Sequence, residues 1–440
     1  MSPPIGTVVL LADEFAGLVV GGLSVLERLL RNLDEEFPPD SATGSGQPQV
    51  LVLWRSAELL QRVPALGGRR PLRLEVRDVL DGTTLTPGAA TPEQATLLLR
   101  TNVVLGRGVL TRLLRRLTRP DPEGDSAGDV VDRPVLTEPV AFPLALLPRS
   151  LAPLAGRQLQ WNVLERAISL EDDLRVEPAD GFCAVVRGPE DLPAVERALC
   201  RSLTKATDGY VARTVNRPIS TRLTRLLAGS RVTPNQVSLA VLAIILAGSW
   251  SLIQGTPWGF LVGTVLFHLA SVVDGCDGEI ARLKFLESPR GAWLDTSVDH
   301  LGNQLFVLCL GIGLARQPGL ARDQRLFYLW EAGLTMVGIV WSLSAVALYT
   351  RRTSGDRHFN RFGITFVRGI LGPGRLRSLL HAIGQLSRRD SMAVICFVLA
   401  LVGRPDWILH GLAFVVAAHV PFLAWWLLKS LAVSAHARTE

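Results

Sequence analysis

The chain has 440 residues, 48% of them hydrophobic and 20% charged, with a formal net charge of +6 and positive mean hydropathy. That length admits two domains or more, and the mixture points to a soluble part joined to a membrane part. Arginine far outnumbers lysine and no stretch interleaves aromatic with basic residues, so the cationic excess fits anionic lipid, phosphate ligands and membrane orientation and excludes a nucleic-acid partner.

The N-terminus places no basic region before its short apolar stretch, and Asp13 and Glu14 follow at once, which is not the pattern of a signal peptide. The segments GTVVLLA (6–12) and QVLVLW (49–54) are near-continuous apolar runs suited to buried parallel strands. Between them GGLSVLERLLRNLDE (21–35) carries a helical apolar face. TLLLRTNVVL (96–105) predicts another strand, VLTRLLRRL (109–117) a helix, and PDPEGDSAGD (120–129) an exposed loop. FCAVVRG (182–188) and EDLPAVERALCRSL (190–203) predict a last strand and a last helix. This alternation points to a doubly wound α/β domain over residues 1–203. The five cysteines form no CxxC spacing, which argues against a disulfide frame or zinc site and fits a reduced cytosolic face.

Residues 204–234 form a joint in which Arg213, Arg217, Arg222 and Arg225 alternate with Val215, Ile219, Leu223, Leu226 and Leu227. The pattern predicts an amphipathic helix along an anionic leaflet. Six apolar segments follow in residues 235–440, at 237–253, 257–273, 293–314, 327–349, 390–403 and 407–431, and predict a six-helix all-α membrane domain. The fifth is short for a span. The loop 351–389 holds nine arginines and almost no acids. By the positive-inside rule that loop, the 282–290 turn and both termini face the cytoplasm of an inner-membrane protein.

The densest chemistry lies in DGCDGEIARLKFLESPRGAWLDTSVD, residues 274–299. On a helix Asp274, Asp277, Gly278 and Ala281 fall three and four residues apart and share a face, and Asp295 and Asp299 stand one turn apart on the next segment. Four carboxylates thus converge from two helices beside small residues that leave room for a ligand. Ionisable groups at a membrane boundary are costly and mark function. Carboxylate oxygens are suited to magnesium or manganese.

The spacing D-x2-DG-x2-AR-x8-G-x3-D-x3-D, carried by Asp274, Asp277, Gly278, Ala281, Arg282, Gly291, Asp295 and Asp299, resembles the signature of the CDP-alcohol phosphotransferases at all eight fixed positions. The resemblance implies metal-dependent transfer of a phospho-alcohol group from a CDP-alcohol to a hydroxyl acceptor, with release of CMP. It further implies that Asp274, Asp277 and Asp295 hold the metal, that Asp299 takes the proton of the acceptor hydroxyl and can touch a second metal, and that Arg282 contacts the diphosphate. Gly278, Ala281 and Gly291 would let the nucleotide approach closely. The stretch Thr233-Pro234-Asn235 is similar to the start of the family's first membrane helix, which makes Asn235 a nucleotide ligand and brings in Ser238 and Ser288 as hydroxyls near it. Simple helix packing explains those two serines equally well. Members with an inositol-phosphate acceptor place cations at comparable helix ends, which here are Arg351, Arg352 and Arg389. Family members with six helices form homodimers, and the same is expected here.

The first domain is similar to a nucleotidyltransferase, as found in inositol-phosphate cytidylyltransferase/phosphotransferase fusions. Its phosphate loop reads ADEFAGLVVGG, with two acids and no cation, and Leu23 and Ser24 stand where the family has a lysine. Arg100, Thr101 and Asn102 replace the metal-binding end of the next strand. These departures predict a domain inactive towards CTP. Two other readings remain: a bifunctional cytidylyltransferase/phosphotransferase, and a cation transporter, which leaves the interposed Gly, Ala and Arg without a purpose.

Overall fold

The computed structural model describes residues 5–12, 15–36, 49–54, 73–78, 95–100, 102–112, 135–138, 144–147, 175–178, 181–204, 208–352, 388–417 and 420. The chain divides into two units. The first comprises Met1–Leu203, Ala228–Ser230 and Arg282–Phe285, and the second Thr204–Leu227, Arg231–Ala281 and Leu286–Glu440.

The first unit is built on the apolar run β1 (Ile5–Ala12). Parallel pairing joins it to β4 (Gln49–Trp54) on one side and β6 (Ala95–Arg100) on the other, so that Leu10 lies opposite Val52 and Leu99. Leu10 and Leu99 are buried, as a strand central to such a sheet requires. With β5 (Arg73–Asp78), β8 (Val135–Glu138), β9 (Leu144–Leu147) and β10 (Arg175–Pro178), the sheet runs β10-β8-β9-β6-β1-β4-β5. It is mixed: β9 pairs antiparallel with both β6 and β8. Two predicted elements differ. The run 96–105 is not one strand, because the chain leaves the sheet after Arg100 and β7 (Val103–Leu105) pairs instead with β11 (Cys183–Val185) in an antiparallel ribbon. The Asn102 carbonyl accepts from the Val186 N–H at 2.7 Å and fixes that departure. The helix expected from Gly21 begins only at Val25. Gly21 and Gly22 take left-handed φ of 61° and 80°, open to glycine at little cost, and turn β2 (Val19–Val20) into β3 (Leu23–Ser24). Ser24 Oγ then accepts from the Glu27 N–H at 3.1 Å, satisfying an open donor at the start of α1 (Val25–Glu36). The expected helix at 109–117 is helical over 109–112, and its remainder lies outside the described residues, as do Asp13, Glu14, Thr101 and the 120–129 loop.

The buried side of α1 includes Val25, Leu26, Leu29 and Leu33, of which Val25 and Leu29 share a core with Val104, with Leu199 of α2 (Leu192–Ser202), and with Ala228 and Leu283. Arg28 is buried in the same wall, where Nη2 donates to the Val20 carbonyl at 2.8 Å and the guanidinium lies 5.7 Å from the Phe285 ring. Burial lowers its pKa to about 10.

In the second unit α3 (Arg217–Ala228) follows a π-helical turn at Ala212–Asn216. Arg213, Arg222 and Arg225 are exposed, as are Ile219 and Leu226. Arg217 differs from the other three: it turns inward, pairing with Asp208 and Glu279. Then come α4 (Pro234–Ile253), α5 (Pro257–Lys284), α6 (Pro289–Ala315), α7 (Arg322–Arg352), α8 (Arg389–Leu401) and α9 (Asp406–Ala417). The T-P-N-Q run starts α4 with reciprocal caps: Gln236 N–H donates to Thr233 Oγ1 at 3.4 Å and Thr233 N–H to Gln236 Oε1 at 2.9 Å, with Pro234 in the first turn. Among the described residues α4, α5, α6 and 322–344 of α7 are long and apolar enough to cross a membrane. The expected fifth and sixth spans appear as the 13-residue α8 and the shorter α9, with most of 418–440 outside the description.

Small residues bring these helices together. A Cβ on Gly313 would lie 2.1 Å from the Leu252 carbonyl oxygen, so α6 meets α4 almost backbone to backbone. Phe267 and Phe306 stack at 4.2 Å beside that contact, in a core with Leu252, Phe260, Leu310 and Leu314. Gly313→Leu should therefore push α4 and α6 apart and cost about 1–3 kcal/mol. It should lower the thermal midpoint of the purified protein in mild detergent. Gly333→Leu, at a glycine with nothing within 4 Å of its would-be Cβ, should leave that midpoint within error.

Candidate active site

Because α5 is an unbroken helix from Pro257 to Lys284, the spacing of Asp274, Asp277, Gly278 and Ala281 does place them on one face. Asp295 and Asp299 lie one turn apart on α6. Asp274, Asp277 and Asp295 each present an oxygen, and all three oxygens lie within 4.8 Å of one another. Asp277 is buried, and its Oδ2 accepts from Ser238 Oγ of α4 at 2.7 Å. This bond orients the carboxylate from outside, as the outer partners of metal ligands do.

Asp299 adjoins this group, its carboxylate beside that of Asp274. It pairs with Nη1 of Arg389, the first residue of α8, and the same nitrogen is 3.5 Å from Asp274. Arg389 Nε and Nη2 are buried with no hydrogen-bond partner among the described residues, and the guanidinium lies 6.0 Å from the Phe267 ring. A cation thus fronts the acidic cluster with two donors to spare.

One turn before Asp295 on α6 comes Gly291, and one turn before Ser238 on α4 comes Asn235. A Cβ at Gly291 would lie 3.2 Å from Asn235 Oδ1 and 3.0 Å from Ser288 Oγ, so these three expected nucleotide-site residues meet at the starts of α4 and α6. Ser288 caps α6 by accepting from the Gly291 N–H at 3.0 Å. Arg282 belongs to the first unit, where Nη2 donates to the Leu203 carbonyl at 3.3 Å. Arg351 and Arg352 form the last turn of α7, and their side chains lie outside the description.

Sequence reasoning passed over Glu279. It lies between Gly278 and Ala281, fully buried, and accepts hydrogen bonds from three side chains of α3. A carboxylate among Cys276, Ile280 and Leu283, all buried, was the available signal.

The donor set fits a divalent cation. Three carboxylates this close raise one another's cost of ionisation unless positive charge lies among them, and hard oxygen ligands without nitrogen or sulfur suit magnesium or manganese. Residues 231–372 match the family model for CDP-alcohol phosphatidyltransferase. This span is thus similar to a CDP-alcohol phosphatidyltransferase domain. The matched span takes in α4 to α6 and thus every carboxylate above. Relatives named "Bifunctional IPC transferase and DIPP synthase" share 32% identity over 244 residues in Rubrobacter xylanophilus, covering 54% of this chain and 54% of that protein. In Archaeoglobus fulgidus the identity is 32% over 229 residues, 52% of this chain and 40% of that one. In Thermococcus kodakarensis it is 34% over 131 residues, 30% and 29%. The matches span about half the length of these relatives or less.

Mn2+ binding to the protein can be followed by the loss of the free-ion EPR signal. Asp274→Asn, Asp277→Asn and Asp295→Asn should each nearly abolish tight binding, because no softer ligand compensates for the lost charge. Ser238→Ala should weaken it by about 10-fold, the scale of losing an outer hydrogen-bond partner.

Proposed function

We propose that the protein is an integral-membrane CDP-alcohol phosphotransferase that moves a phospho-alcohol or phosphatidyl group onto a polyol-phosphate acceptor and releases CMP. The convergence of Asp274, Asp277 and Asp295 beside an Asp299–Arg389 pair carries this reading. Asn235, Ser288 and Gly291, which meet at the starts of α4 and α6, would form the nucleotide end together with Gly278 and Ala281 of α5. The metal, magnesium or manganese, would be held by Asp274, Asp277 and Asp295 and would supply positive charge against the diphosphate. Asp299 takes the proton as the acceptor oxygen bonds to the phosphorus bearing the donor alcohol. The bond from that phosphorus to the bridging oxygen breaks, and CMP leaves with that oxygen. Arg389, whose spare donors suit a phosphate, holds the acceptor together with Arg351 and Arg352. The resemblance to two-domain inositol-phosphate fusions favours inositol phosphate as acceptor, with CDP-diacylglycerol or CDP-inositol as donor. The protein works as a homodimer in the inner membrane, with the site and both termini cytoplasmic.

The first unit is proposed to be a nucleotidyltransferase-like domain without that activity. Leu23 and Ser24 are buried where a phosphate-binding cation would stand, and Arg28 is spent on the Val20 carbonyl.

Full-length protein in nanodiscs should release CMP from one of these donors when inositol phosphate and Mg2+ are present, and EDTA should stop it. Asp299→Asn should lower kcat by roughly 10²–10⁴, the usual weight of a general base, and Arg389→Ala should raise the KM for inositol phosphate while sparing that for the donor. Cation flux in vesicles without CMP release would favour a transporter instead.

The same protein given CTP and inositol phosphate should release no pyrophosphate. Pyrophosphate release would make it bifunctional.

A further inference from the structure

Glu279 lies two residues beyond Asp277 on α5, about 200° around the helix and therefore on its far flank. The side chain is fully buried. Arg217 Nη1 donates to it at 2.6 Å, Ser220 Oγ at 2.8 Å and Thr224 Oγ1 at 2.6 Å. The three donors recur at 217, 220 and 224, which is a single face of α3. Arg217 is held in turn by Asp208, Nε to Oδ2 at 2.8 Å and Nη2 to Oδ1 at 3.3 Å. Burial alone would lower the Arg217 pKa, but the hydrogen bonds to Asp208 and Glu279 outweigh it and hold the pKa above the ordinary value. Room for the guanidinium comes from Gly275, whose would-be Cβ lies 3.2 Å from Arg217 Nη1. One turn from Glu279, Cys276 Sγ approaches the Ser220 carbonyl at 3.5 Å.

Adhesion between two helices needs none of this. Apolar side chains hold helices together at lower desolvation cost than a buried ion pair, and this interface has them in Leu223 and Leu227 packed with Cys276, Ile280 and Val237. What a charged, fully hydrogen-bonded contact adds is directional: it has one rotation and one register. Any turn of α5 about its axis that moved Asp277 away from Asp295 would pull Glu279 from its three donors.

We infer that Glu279 is a positioning residue, locking α3 onto the back of α5 and so fixing the direction in which Asp274 and Asp277 face Asp295. It rests on the phosphotransferase reading for its consequence in turnover, but not for its consequence in metal affinity.

The test uses full-length protein in mild detergent with three readouts: Mn2+ affinity by EPR, thermal midpoint, and CMP release at varied metal and donor concentration. Glu279→Gln should weaken Mn2+ binding by about 10-fold. The metal concentration giving half-maximal CMP release should rise in step, while kcat at saturating metal stays near wild type, the split expected when binding rather than the chemical step is impaired. Arg217→Met should do the same by leaving the carboxylate without its cation, and Arg217→Met/Glu279→Gln should be milder than Arg217→Met alone. If Glu279→Gln does not fold, Ser220→Ala/Thr224→Ala removes two donors more gently and must give the same split. Wild-type Mn2+ affinity with only a lowered thermal midpoint, in whichever variant folds, would overturn the inference and leave Glu279 a plain packing group. Wild-type protein without CMP release would sink the proposed function, yet the Mn2+ titration would still decide for or against Glu279.

Discussion

Three carboxylates whose oxygens lie within 4.8 Å of one another repel, and the second unit has to hold them where they are. Two come from α5 and one from α6, so their spacing is only as fixed as the packing of those helices. That packing rests on α4. It touches α6 through the Gly313–Leu252 approach, crosses α5 near Gly248 and Gly263, and sends Ser238 to Asp277. Arg389 adds positive charge from α8. A cluster of like charges thus depends on close backbone contacts several turns away.

Much of this was legible in the sequence because it follows local rules. A spacing of three and four puts side chains on one helical face whatever else the chain does, and α5 obeys it. Thr233-Pro234-Asn235-Gln236 carries its capping chemistry within four residues, and α4 starts there. β1 and β4 appear where near-continuous apolar runs required buried strands. The errors fall where long-range pairing decides. Nothing local in 96–105 says that Val103–Leu105 will pair with residues some 80 positions away. The leucines after Gly21 fit a helix equally well whether or not two glycines first form a turn.

The site divides along the same line. Residues within one motif could be placed from their spacing, and so could Asn235, which carries its own helix-start pattern. The Asp299–Arg389 pair joins residues 90 positions apart and was visible only as a surplus of cations near a helix end. Glu279 was hidden for another reason: as a polar residue in a polar motif it drew no attention, although its neighbours at 276, 280 and 283 are buried. In the first unit, Leu23 and Ser24 are core residues.

The unbroken length of α5 sets a depth. Its 28 residues make a rod of about 42 Å, against about 30 Å of hydrocarbon in a bilayer. Counting from Pro257, Asp274 stands about 26 Å along that rod and Asp277 about 30 Å. With its first turn at one hydrocarbon boundary, the carboxylates come level with the other. Under the proposed function, small hydrophilic species such as a metal ion or free CMP would then exchange directly with water, while a diacyl donor would reach the same carboxylates by sliding sideways within its own leaflet.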